Sequence, residues 1–224
     1  MISWIEPKTF PTFFDGLWWT VVTAATVGYG DLFPSTFLGR IFGILVIFTG
    51  VALIGLVFGK AGELITLHRK KEEEGKLGYD GKNHVVIIDW SDKAEHAIRD
   101  ILKQEKKTHV VVIDQLEKAP YLHERVHYVN GNPSNEVVLK SLANVEKAKA
   151  CFIFGDETIG DQWLKDCKTL MIATAIERIA PHVFTVAEIE MDENAPNFHH
   201  LKVDKLIFTD KTISSLAIQA YQNK

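Results

Sequence analysis

Residues 41–59, IFGILVIFTGVALIGLVFG, carry no charged side chain. At 1.5 Å per residue the surrounding apolar helix is long enough to cross roughly 30 Å of hydrocarbon. Such a span divides the chain. Before it lie aromatic and glycine-bearing residues; after it come His68-Arg69-Lys70-Lys71 and then, from Glu72 onward, an ordinary soluble composition. Basic residues directly after a span place that side in the cytoplasm. Averages over all 224 residues therefore describe neither half. The net charge of −4 leaves no basic footprint and argues against nucleic acid as a partner.

Ahead of the span stands Thr26-Val27-Gly28-Tyr29-Gly30-Asp31. Glycines at 28 and 30 admit positive φ, so successive carbonyls can point the same way. Four such strands around an axis would stack rings of peptide oxygen that replace the water shell of a dehydrated K+ ion. The Thr26 hydroxyl adds a lower ring, and Val27 and Tyr29 turn their side chains outward. Phe13 to Ala25 reads as a short amphipathic helix aimed at this loop, its C-terminal partial negative charge favouring a cation, with Trp18 and Trp19 placed to pack beside the loop.

WWTVVTAATVGYGDLFP and the glycine-bearing helix after it resemble the pore of two-helix prokaryotic potassium channels. TVGYG is the filter sequence of those channels, so the ring mechanism is theirs. The resemblance implies an outer membrane helix before the pore helix, of which Met1-Ile2-Ser3-Trp4-Ile5 would be the last turn, as in an N-terminally shortened chain. Val22 stands where some pores place a glutamate, so a carboxyl pair with Asp31 is not expected. Pro7 and Pro11 mark an extracellular turret, Ser35 or Thr36 can cap the inner helix, and Arg40 suits an interfacial cation. Gly43, Gly50, Gly55 and Gly59 suit close helix packing. The resemblance adds a hinge at Gly50 and an intracellular constriction near Gly55.

From His84 short apolar strands alternate with amphipathic helices. Strands are expected at 84–89, 108–114, VHYV, CFIF, HVFTVA and KLIF, with helices at 92–104, 134–143, 160–179 and 211–222. That alternation implies a parallel sheet with helices on both faces. The expected fold is a membrane α-helical pore (pore helix, filter, inner helix) followed by an α/β Rossmann-like parallel-sheet domain. Its parts are a pore domain at 1–71, a charged linker at 72–82 and a regulatory domain at 83–224.

The turn after the first strand reads Asp89-Trp90-Ser91-Asp92-Lys93-Ala94 where a dinucleotide fingerprint would read G-x-G-x-x-G. Asp89 adds charge facing a pyrophosphate, while Ser91 and free helix amides could still accept an anion. Asp114 ends the second strand at the distance of a ribose-binding acid. Asp156, Glu157, Glu188 and Glu190 gather where strand ends converge. On a strand, Glu188 and Glu190 would share a face about 7 Å apart, a like-charge cost of roughly 0.6 to 2.4 kcal/mol that needs no metal to be tolerated. Cys151 and Cys167 lack CxxC or Cys/His spacing and suit packing in a reducing compartment. His84, His96, His109, His123, His127, His182, His199 and His200 lack metal-site spacing and read as structural, with the His199-His200 tandem a candidate for pH sensitivity.

VVIIDWSDKAEHAI, YVNGNPSNEVVL and the fourth strand resemble the N-terminal lobe of the regulator of potassium conductance (RCK) domain. Asn132 replaces an acidic residue found in many members of that family. In calcium-gated members, glutamates equivalent to 188 and 190 help hold a divalent ion with an aspartate that aligns with Gly155; Asp156 is the neighbouring substitute. The resemblance implies a potassium-selective channel subunit of the cell membrane, multi-pass when complete, assembling as a homotetramer in the lipid bilayer. RCK lobes would pair into a cytoplasmic gating ring. Its ligand would be Ca2+ or Mg2+ held by Asp156, Glu188 and Glu190, with a nucleotide (NAD, ADP or ATP) at Asp89, Ser91 and Asp114 as the alternative. No C-terminal ligand lobe is expected after Lys224. A regulatory subunit of a potassium uptake transporter and an NAD-dependent oxidoreductase are the rival classes; the glycine-poor turn and the lack of a catalytic constellation weigh against an enzyme.

Overall fold

The structure, a computed structural model, describes residues 2–222; the last two residues of the expected regulatory domain lie outside it. The chain forms two compact units, Met1–His68 and Arg69–Lys224.

In the first unit, helices α1 (Ile2–Ile5) and α2 (Phe13–Ala24) precede the long α3 (Phe37–Glu73). Thr12 starts α2: its hydroxyl accepts from the Asp15 amide at 3.2 Å, and the Asp15 carboxylate accepts from the Thr12 amide at 2.9 Å. The Thr36 hydroxyl accepts from the Gly39 amide at 3.1 Å and so begins α3. A buried carboxylate, Glu6, fixes that start by accepting from the amides and hydroxyls of Ser35 and Thr36. Trp19 does not flank the loop as expected. Its face of α2 turns towards Phe10 and Ile2, and the three form a small core with Leu32, Phe42 and Val46. Gly43 belongs to that packing, since a Cβ there would stand 3.5 Å from the Trp19 ring. Among the described residues, α3 is the one helix long and apolar enough to cross a membrane.

The second unit holds a six-stranded parallel sheet of order β3-β2-β1-β4-β5-β6. The strands are β1 (Val85–Ile88), β2 (Val110–Asp114), β3 (Val126–Asn130), β4 (Ala150–Ile153), β5 (Phe184–Ile189) and β6 (Lys205–Phe208). Val86 pairs with Val111 on one side and Cys151 on the other, so the central strand is buried on both faces, as its unbroken apolar run requires. Helices α4 (Asp92–Gln104), α5 (Gln162–Ile179) and α6 (Thr209–Gln222) follow strands β1, β4 and β6. Cys151 lies in the larger core, where burial pushes its thiol up; Cys167 is half-buried, and both are free thiols.

The helix expected at 134–143 is helical over 136–142, its last five residues, Val138–Leu142, being a π turn. Asn135 opens it by accepting from the Val137 amide at 2.8 Å, and Asn132 accepts from the Ser134 amide at 2.9 Å in the turn before it. Residues 72–82, expected as a linker, are held against the lobe. After Glu73 the chain runs as a strap along the lobe, bonded to it at every second residue from 73 to 83. Carbonyls of Glu73 and Gly75 accept from the amides of Ala119 and Asn130 at 2.7 and 2.9 Å, and Leu77 accepts from His127 Nε2 at 2.9 Å. Amides of Tyr79 and Asn83 donate to the carbonyls of Leu142 and Lys147, both at 2.7 Å, while Asn144 Nδ2 donates to Gly81 at 2.8 Å. Gly75 lets the chain turn onto the sheet edge: its φ is +65°, and a Cβ would lie 2.4 Å from the Asn130 amide nitrogen.

Candidate functional site: the pore loop and the carboxyl edge of the sheet

In the loop after α2, φ is positive at Thr26 (59°), Gly28 (61°) and Gly30 (75°) but not at Val27 or Tyr29. Alternating signs bring successive carbonyls to one side. The amides are turned back into the protein: Thr26 donates to the Thr23 carbonyl at 3.0 Å, and Val27 and Gly28 donate to the Val22 carbonyl at 3.0 and 3.3 Å. Among the described residues, no group donates to the carbonyls of residues 26–30. The loop thus spends its first three donors on the helix behind it and keeps its acceptors free. Trp18 braces it, stacking on Tyr29 at 6.0 Å with 7° between planes and donating from Nε1 to the Asp31 carboxylate at 2.9 Å. Glycine spacing pointed to two of the three positive φ values; Thr26, which carries a Cβ, gave no such signal.

The two glycines singled out on α3 differ. A Cβ on Gly50 would fall 2.5 Å from the Ala24 Cβ, so the end of α2 lies against it. Gly55 has nothing within 4 Å among the described residues, and α3 is helical through both.

At the carboxyl edge of the sheet, Asp89 follows β1 in a left-handed conformation, φ +63°. It occupies the place of the fingerprint's first glycine, but its carboxylate is buried and accepts from Lys168 Nζ at 2.7 Å. The same ammonium donates to Asp156 at 2.7 Å. Ser91 caps α4 by accepting from the Ala94 amide at 3.2 Å. Asp114 accepts from the amides of Trp90 and Gln115 at 2.6 and 2.5 Å, so its first task is to hold the β1–α4 turn. Glu188 lies within β5 rather than after it, because the strand runs to Ile189; it is buried and accepts from Lys93 Nζ (2.6 Å), the Gly155 amide (2.8 Å) and the Thr209 hydroxyl (2.5 Å). Glu190, just past the strand, faces Lys165 Nζ at 3.8 Å.

Burial pushes Asp89 up to about 6, against the opposing pull of Lys168. Burial pushes Glu188 and Asp156 up as well, but their hydrogen bonds prevail and hold both below the usual carboxylate range: the Gly155 amide, Lys93 and Thr209 for Glu188, and Lys168 and Thr158 for Asp156. Lys168, bonded to Asp156 and Asp89, is held above its ordinary value despite burial.

Sequence reading found the carboxylates and missed the cations. Lys93, Lys165 and Lys168 come from α4 and α5, and the i, i+3 spacing of the last two was the available signal that they share a face. Also missed was buried Asp166, which anchors the segment after β5 by accepting from the amides of Glu190 and Met191 and from Asn194 Nδ2. The expected metal set of Asp156, Glu188 and Glu190 is not assembled: among the described residues, no group of three His, Cys, Asp or Glu side chains could hold a metal ion. A Cβ on Gly155 would stand 3.4 Å from Glu190 Oε1 and 3.6 Å from Glu188 Oε2, so two carboxylates converge and the third is lacking.

A short helix, a loop with unspent carbonyls and a membrane-length helix, continued by a Rossmann-like lobe, define a membrane pore protein with an attached α/β domain. Residues 1–67 match the family described as "Ion channel", and residues 80–187 match "Calcium-activated potassium channel slowpoke-like RCK domain". The chain is 31% identical over 221 residues to the "Putative potassium channel protein YugO" of Bacillus subtilis, covering 98% of this chain and 66% of that protein. It is 27% identical over 192 residues to the "Calcium-gated potassium channel TvoK" of Thermoplasma volcanium, covering 85% and 54%. The chain therefore belongs to the potassium channels that carry an RCK domain, and spans between half and two thirds of the length of these two relatives. Among solved structures, the GsuK channel bound to NAD superposes with a TM-score of 0.60 at 17% identity, over 92% of this chain and 37% of that one. The ADP-bound GsuK structure gives 0.59 at 16% identity, over 92% and 55%; both show a shared fold.

Proposed function

We propose that this chain is a subunit of a potassium-selective channel of the cell membrane, assembled as a homotetramer, whose RCK lobe faces the cytoplasm and sets the open fraction of the pore. One observation carries the reading: residues 26–30 alternate in backbone handedness, with the amides of 26–28 bonded back to α2 and the carbonyls unspent. Four copies around an axis supply the oxygen rings that stand in for hydration of K+. Gly50 and Gly55 are the places where the inner helix bends and narrows. The test is the reversal potential in mixed potassium and sodium solutions: a pore of this kind follows the potassium gradient. Discrete single-channel currents separate it from a subunit of an uptake transporter.

Gating acts at the carboxyl edge of the sheet. A divalent ion fits poorly there, since each of the four carboxylates already faces a lysine and Gly155 supplies none. A nucleotide fits better: the α4 N-terminus, Ser91 and Lys93 offer amides and a cation for phosphate, and a ligand that draws Lys93 or Lys168 away must rearrange Glu188 or Asp89. GsuK has been solved with NAD and with ADP, which supports this choice of ligand class. A ligand shifts opening only by its difference in affinity for two shapes of the lobe. A swing from 1:99 to 99:1 needs about 5.5 kcal/mol, which four sites share at roughly 1.4 kcal/mol each. Thermal midpoints of the full chain with NAD, ADP, ATP, calcium and magnesium decide the class; stabilisation by calcium alone overturns the nucleotide reading.

A further inference from the structure

The strap between α3 and β1 closes over a ring of histidines. The Tyr79 ring lies 4.7 Å from His84, 5.6 Å from His127 and 6.1 Å from His109, centroid to centroid. His84, fully buried at the start of β1, donates from Nε2 to the Ala143 carbonyl at 3.0 Å, and its Nδ1 finds no hydrogen-bond partner among the described residues. Half-buried His127 on β3 donates from Nε2 to Leu77 in the strap. His109, exposed ahead of β2, faces the same tyrosine. Chain folds back over the phenol: a Cβ on Gly81 would lie 2.3 Å from the Tyr79 hydroxyl oxygen.

Because a carbonyl can only accept, the proton of His84 sits on Nε2, and Nδ1 holds an unused lone pair in a dry site. A second proton there would be a buried charge with no acceptor, which is costly. The groups facing it do not help. The strap presents Tyr79, β2 presents His109, β3 presents His127, and the turn at 143–144 presents a carbonyl that is already used. Lys149, ahead of β4, spends its ammonium on Glu105 and Thr108. Among the described residues, no carboxylate pairs with any of the three histidines.

We propose that Tyr79, His84, His109 and His127 form a proton-operated latch, which holds the strap on the lobe near neutral pH and releases it on acidification. The strap is the covalent continuation of α3, so its release lengthens the chain left free between α3 and β1. Burial, then the Coulombic effect of His109, keeps docked His84 below the ordinary histidine value of 6.5, against the Ala143 bond. Depression of a base means that docking stability is complete above about 6.5 and lost as pH falls towards the docked value. Opening that takes up one proton raises the open fraction about tenfold for each pH unit in that window.

Hydrogen exchange of the full chain in detergent micelles, followed by mass spectrometry at about pH 7.5 and about pH 5.5 with labelling times scaled to the intrinsic rate, tests this without reference to ion flux. Protection of peptides covering 74–83 should fall roughly tenfold at the lower pH while β1 and β2 stay protected. In His84→Phe the fall should vanish. Should that variant misfold, His109→Gln with His127→Gln carries the test, because stripping the ring of the two imidazoles that face Tyr79 beside His84 must shrink the fall. Unchanged strap protection in the wild type, or an undiminished fall in either variant, overturns the latch.

Discussion

The pore loop and the carboxyl edge of the sheet are the two places where the proposed function meets an ion or a ligand, yet they use different parts of the polymer. The loop is a run of consecutive residues whose main chain does the work: amides of Thr26, Val27 and Gly28 point back into α2 and the carbonyls stay free. The edge is made of side chains from the ends of β1, β2, β4 and β5 and from α4, α5 and α6, and four of its carboxylates, Asp89, Asp156, Glu188 and Glu190, already face lysines. Local backbone chemistry tolerates little change and is written in neighbouring letters. An assembled side-chain network tolerates more, and is written across more than a hundred positions, from Asp89 to Thr209.

The largest expected effect breaks the loop. Gly30 has φ +75° and open space where a Cβ would go, so Gly30→Ala fails through backbone strain rather than collision. Left-handed backbone costs a residue with a Cβ roughly 1–2 kcal/mol, and the four copies proposed above would each carry that cost. Potassium flux into liposomes should drop to background while the thermal midpoint of the lobe stays within a degree or two, about what a remote surface change does. Normal selectivity in this variant would falsify the assignment of the carbonyls.

At the edge, Lys168→Ala should cost stability instead of flux selectivity. It leaves buried Asp89 and half-buried Asp156 without their shared cation, a loss on the order of 3 kcal/mol, trimmed because Lys168 is a quarter exposed. A pH series sharpens the point. Burial raises Asp89 from 3.8 to about 6, so its contribution to stability is complete below 3.8 and lost as pH rises through about 6. Asp89→Asn should flatten the thermal midpoint across that window; an unaltered slope would mean that another group sets it.

These two variants also mark what could be read beforehand. The six strands and their order of appearance follow from apolar runs such as HVVIID and THVVVID, since a strand buried on both faces leaves no other pattern. Gly28 and Gly30 announced their backbone directly. Trp19 was misplaced because Trp18-Trp19 gives no sign of which indole faces the loop; α2 turns them about 100° apart, and only one reaches Tyr29. Residues 72–82 looked like a linker because charge and glycine are what linkers are made of. Their partners, Ala119, His127, Asn130 and Leu142, lie tens of residues away. The lysines of the edge were hidden for the same reason, since an ion pair such as Lys93 with Glu188 spans a separation that no local pattern reports.

Gly155→Asp is a milder change that tests whether the edge is one carboxylate short of a metal site. The new side chain would begin 3.4 Å from Glu190 Oε1 and 3.6 Å from Glu188 Oε2. Like-charge crowding should lower stability by about 1–2 kcal/mol without added metal, and calcium should restore it, because three carboxylates suit a hard cation. Wild-type midpoints should stay put in calcium. If the wild type shifts as much as the variant, the existing glutamates suffice and the lysines are displaced more easily than their pairing suggests.

Trp18→Phe should have the smallest effect, and it returns the comparison to the pore. The phenyl ring can still stack on Tyr29, but the donor to Asp31 is gone. One hydrogen bond at an exposed site contributes about 1 kcal/mol at most. Selectivity should survive while the conducting loop becomes shorter-lived, seen as faster loss of current under steady conditions. Loss of selectivity as complete as in Gly30→Ala would place the discrimination in the side-chain brace rather than in peptide oxygen. The loop would then be a network of the same kind as the carboxyl edge, and the distinction between the two regions would fail.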